Sequence, residues 1–109
     1  MIRSDKKLAA LQKTLEKGRH EEILGAITQL RDEEPFSGAL RLLANYYEVT
    51  DDEAVKLSIA AFFNDMKQQS ARDEVMNAIT ASSEQATRAM LVSSCWQSGL
   101  DYSGYALRI

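Results

Sequence analysis

The stretch TDDEAVKLSIAAFFNDM, residues 50–66, decides how this chain folds. It opens on Thr50-Asp51-Asp52-Glu53, an arrangement in which the threonine hydroxyl caps a helix start and the glutamate reaches back to it. Val55, Ile59, Phe62, Phe63 and Met66 then recur at helical spacing, one apolar stripe along one side of a rod. Displaced by 32 positions in either direction, the pattern largely returns.

The return can be followed residue by residue. Ile23 and Val55 are 32 apart, and so are Ile27, Ile59 and Leu91, and Leu30, Phe62 and Ser94. In the other helix of each pair, Leu11 maps on to Leu43 and Val75, and Leu15 on to Tyr47 and Ile79. Leu8 matches Leu40, while the third member is Arg72, a miss. Helix starts align as well: Thr50 with Ser82, and Glu21 with Glu53 and Gln85. Inward positions and caps agree together, so the chain reads as three helix pairs, about 4–33, 34–66 and 67–98.

Outward from the central pair, Ser4 to Lys17 carries Leu8, Leu11 and Leu15 and stops at Gly18. Arg19 to Glu33 carries Ile23, Ile27 and Leu30, and Pro35 forces the next helix, Phe36 to Glu48, to begin afresh. After a polar link, with Ser70 as cap, a fifth helix turns Val75, Met76 and Ile79 inward. Ser82 to Ser98 is the sixth, opened by a second capping box and closed by Gly99. Residues 99–109 read as a short C-terminal helical segment, either a lid or the start of a further unit. No hairpin turn or long alternating run suggests a strand. The fold class is all-α, three stacked antiparallel helix pairs, because a hairpin of this length cannot bury its apolar face alone.

The run from Pro35 to Met66, with Glu53-Ala54-Val55-Lys56 opening its second helix, resembles a HEAT repeat, and the likeness to HEAT and armadillo-like superhelices covers nearly the whole chain. Lys56 and Arg88 stand where that family often has a basic residue; Leu24 stands there in the first unit. Thr50 and Ser82 replace the family's usual aspartate. The resemblance implies that the second helices line a concave protein-binding surface. On them Leu24, Lys56 and Arg88 form one row, Thr28, Ala60 and Val92 the next, and Asp32, Asn64 and Trp96 the last.

Composition sets the remaining limits. At 109 residues, 45% apolar and 27% charged, the chain has the balance of one globular domain. A net charge of −3 argues against non-specific nucleic-acid binding. No apolar run reaches the roughly 18 residues of a membrane helix, and the polar start is not a signal peptide. Cys95, the single cysteine, has no internal disulfide partner, which favours the cytoplasm. Residues 1–34 hold seven basic and seven acidic side chains, so the net charge falls in the middle unit.

Catalytic chemistry finds little support. His20 is the only histidine, which excludes a two-histidine metal site within one chain, and beside Arg19 and Glu21 it reads as a solvated turn residue. Cys95 occupies an apolar slot 32 positions from Phe63, toward a helix C-terminus where the dipole disfavours a thiolate. Asp51, Asp52 and Glu53 point in different directions from one helix start, with no calcium-loop spacing around them. The expectation is a protein-interaction module with no enzyme activity, metal or cofactor, and with no nucleic-acid or membrane partner. Its contact residues would be Lys56, Arg88, Trp96, Asn64 and Val92, with Trp96 as the aromatic anchor or packed under residues 100–109. The alternative is a structural fragment that forms a homodimer through its apolar C-terminal end.

Overall fold

The computed structural model describes residues 3–32, 36–66 and 71–97. Six helices run through them: α1 Asp5–Lys17, α2 His20–Asp32, α3 Ala39–Val49, α4 Glu53–Asn64, α5 Arg72–Ala81 and α6 Gln85–Gln97. No strand occurs among the described residues. The expected cap at Ser70, the stop at Gly99 and the C-terminal segment 99–109 all lie outside them.

Short connections fold α1 on α2, α3 on α4 and α5 on α6, and the three antiparallel pairs stack in two layers. In the first layer α3 lies between α1 and α5; in the second, α4 lies between α2 and α6. The middle pair thus has neighbours on both sides. That is why residues 50–66 dominate the sequence pattern.

The core follows the repeat. Leu11, Leu43 and Val75 are buried in the first layer, and Ile27, Ile59 and Leu91 in the second. Leu30, Phe62 and Ser94 are buried together although the last is polar. Its hydroxyl donates to the Met90 carbonyl at 2.9 Å, which satisfies it within the helix. Phe62 and Phe63 meet edge to face with centroids 5.3 Å apart.

Two of the expected caps are corrected. α4 is capped by Asp52, whose carboxylate accepts from the Ala54 and Val55 amides at 3.0 and 3.3 Å. Thr50 is buried two residues earlier and accepts from the Asp52 amide at 3.2 Å, so it shapes the turn that presents the cap. Likewise Ser82 closes α5 rather than opening α6, its hydroxyl donating back to the Ala78 carbonyl at 2.7 Å. In both stretches more than one candidate residue precedes the helix. Only the backbone path decides which one caps it.

Ser4, read from the sequence as the first residue of the helix, caps α1, accepting from the Lys7 amide at 3.2 Å. At the other end the Gly18 amide donates to the Thr14 carbonyl at 2.7 Å. A Cβ on Gly18 would lie only 2.4 Å from that oxygen, so this stop works by close approach. Gly38, before α3, has φ of +90° and lies against the Leu8 side chain, where the first pair meets the second.

Candidate functional site

Four of the five residues singled out from the sequence are exposed or half-buried on the second layer. Arg88 and Trp96 project from α6, and Lys56 and Asn64 from α4. Trp96 is 71% exposed, as is Leu57 on α4. The alternative role for Trp96, packing under residues 100–109, concerns a segment outside the described residues, as does self-association through the C-terminal end.

Two of the expected contact residues are revised. Val92 belongs to the core, 7% exposed, and offers nothing to a partner. Its row runs from open to closed across the layer, since Thr28 is exposed, Ala60 half-buried and Val92 buried. Lys56 is half-buried, with its ammonium 5.6 Å from the centre of the Tyr47 ring in the same pair. That contact holds the lysine stem against α3. Asn64 is half-buried near the end of α4, whereas Arg88 stands exposed. Leu57, Arg88 and Trp96 are thus the exposed residues of this set, and Lys56 and Asn64 the half-buried ones.

His20 reads from the sequence as solvated, but in the fold it has a partner. His20 Nδ1–H donates to the Asp52 carboxylate, binding the start of α2 to the start of α4. At the far ends of the same helices the Arg31 guanidinium donates to Asp65. The His20 contact spans 32 positions, the repeat length itself, so adding the period to 20 is the signal that finds it. Asp52 has its carboxyl pKa lowered, chiefly by the His20 hydrogen bond and further by the Val55 and Ala54 amides, with desolvation opposing in part. The imidazole makes no other hydrogen bond among the described residues. No three of the described His, Cys, Asp and Glu side chains converge to hold a metal ion. No described helix is long and apolar enough to cross a membrane.

A feature the sequence did not announce lies at the other end of the stack. Between α1 and α2 a groove of about 200 Å³ opens beside the start of α3, lined by Leu11, Leu30 and Phe36 with Ala10 and Ala26. Lys7, Thr14 and Gln29 complete its wall. Comparison of the chain with family models, curated proteins and solved structures finds no match.

Proposed function

We propose that the chain is a non-catalytic protein-interaction module of stacked helical hairpins, of the HEAT- or armadillo-like kind its sequence resembles. It acts in the cytoplasm without a cofactor and holds a protein partner on the outward side of its second helices. The observation that carries this reading is the exposure of Trp96, 71% open to solvent on the same layer as Leu57. Tryptophan and arginine are the residues that most often anchor interfaces, and Arg88 lies about two turns before Trp96 on α6. The His20–Asp52 pair supports the same reading, since it links two helix pairs and leaves the chain's one imidazole in a structural role.

The test is a pull-down from the native cell extract with the chain and with a Lys56→Ala, Arg88→Ala, Trp96→Ala variant. The variant is expected to keep its helicity by circular dichroism and to lose the captured partner. Equal capture by both proteins would refute the assignment of this face.

A further inference from the structure

We propose that the partner held on the second layer is a second copy of this chain, the two copies pairing face to face about a two-fold axis that runs along α4. The inference rests on the reading of that layer as a protein-binding face, and it names the occupant.

Apolarity away from the core is the first observation. α4 is the most apolar of the six helices, and no charge stands between Lys56 and Asp65. Its flanks lie against α2 and α6, and its inner stripe of Val55, Ile59, Phe62 and Phe63 is buried. Leu57 is served by neither. At 100° per residue it lies about 175° from the mean direction of that stripe, and it is 71% exposed. Gly25 and Ala89, 32 positions to either side, are exposed at the same place on α2 and α6. Leu57 is therefore the one bulky member of an outward row. From Leu57 onward α4 is uncharged all round, the pattern of a helix covered on every side.

Charge selects what covers it. On α2 the His20 and Arg31 side chains are engaged with Asp52 and Asp65. Glu21 and Asp32 remain, about 155° and 175° from the direction of Ile23, Ile27 and Leu30. Both are exposed and make no ion pair among the described residues. α6 has the opposite sign. Arg88 is its one charged residue, exposed and likewise without an ion pair among the described residues. The face thus runs from acidic α2, across apolar α4, to α6 with its arginine and Trp96. A uniformly acidic partner would meet Glu21 and Asp32, and a uniformly basic one would meet Arg88. A second copy presents the reverse order by symmetry.

With the axis along α4, α2 of each copy lies over α6 of the other, and Leu57 meets Leu57. The repeat sets the levels. Arg88 stands three residues beyond the level that Glu21 shares with Gln85, about 4.5 Å along the helix and within reach of Glu21 of the second copy. Trp96 shares its level with Asp32, so the indole N–H is set across from that carboxylate. Glu53 leans from α4 to the flank opposite Asp65, and the axis sets its two copies apart. An axis across the helices would instead lay α2 on α2, acid against acid. Three helices of 12 or 13 residues, about 20 Å long and 8–10 Å apart, make a face on the order of 500 Å². The pair is accordingly weak, with a dissociation constant on the order of 100 μM.

Sedimentation velocity of the purified full chain, from about 10 μM to about 1 mM, tests this. A concentration-dependent equilibrium between monomer and dimer is expected. Leu57→Glu should raise the dissociation constant about tenfold or more, and Leu57→Gln provides a second variant without a charge. The Arg88→Glu chain alone should stay monomeric, and so should a Glu21→Arg, Asp32→Arg chain, because each sets like charges together at both contacts. Mixed in equal amounts the two should pair, since every contact is then opposite in sign. Circular dichroism checks the helicity of each variant. A monomer at every concentration would overturn the proposal, as would a dimer indifferent to both Leu57 variants or two charge variants that fail to pair when mixed. A chain that stays monomeric yet captures another protein through Trp96 would overturn the dimer and leave the binding face standing, which separates the two failures.

Discussion

Asp52 receives the His20 imidazole from the neighbouring helix pair and, with the same carboxylate, caps the helix it begins. One acid therefore starts α4 and fastens it to α2. Because Arg31 and Asp65 repeat the link at the far ends of the two helices, the first two pairs are clamped at both ends.

That double role sets a pH dependence. The folded Asp52 carboxyl titrates below its ordinary value of 3.8, so its contribution is fully present above about pH 4 and is lost as pH falls through the lower, folded value. An asparagine in its place would still cap α4 but could not ionise. The urea midpoint of the Asp52→Asn variant should therefore fall less than that of the unaltered chain between pH 5 and pH 2. Parallel curves would show that the pair contributes nothing to acid sensitivity.

Two glycines should respond in opposite directions to the same change. Gly18→Ala drives a methyl group against the Thr14 carbonyl, an overpacking that costs about 1–3 kcal/mol. Gly25 lies within α2, and a methyl group added there would meet nothing within 4 Å, so Gly25→Ala should stabilise by about 0.5–1 kcal/mol. Urea unfolding of the two variants reads both signs.

Thr87 stands where the other two pairs have Ile23 and Val55. It is 1% exposed, and its hydroxyl has no hydrogen-bond partner among the described residues. Thr87→Val removes a buried hydroxyl at nearly constant volume and should raise stability by about 1–2 kcal/mol. A lower midpoint would mean that the hydroxyl is satisfied.

The parts of this molecule legible in its sequence are those set by periodicity. Ile27, Ile59 and Leu91 are fully buried where the 32-residue offset puts them, and the helix pairs follow from the same arithmetic. What depends on the backbone path between helices is not legible. Thr50 and Asp52 are equally good caps by composition, and only the turn selects Asp52. Val92 reads as outward for a related reason. Its offset from the core stripe matches that of exposed Thr28 and half-buried Ala60, yet at this position the fold leaves only 7% of it open. The groove beside α1 depends on what does not lie against a helix, which no pattern along the chain records.

The central claim, that the Trp96 face binds a protein, is tested most directly by replacing Trp96 with a photo-crosslinking benzophenone amino acid in the native cell. Asn45, exposed on α3 in the other layer, serves as the comparison position. The account predicts one discrete crosslinked protein from position 96, competed away by excess unaltered chain, and none from position 45. No adduct at position 96, or the same adduct from both positions, would contradict it.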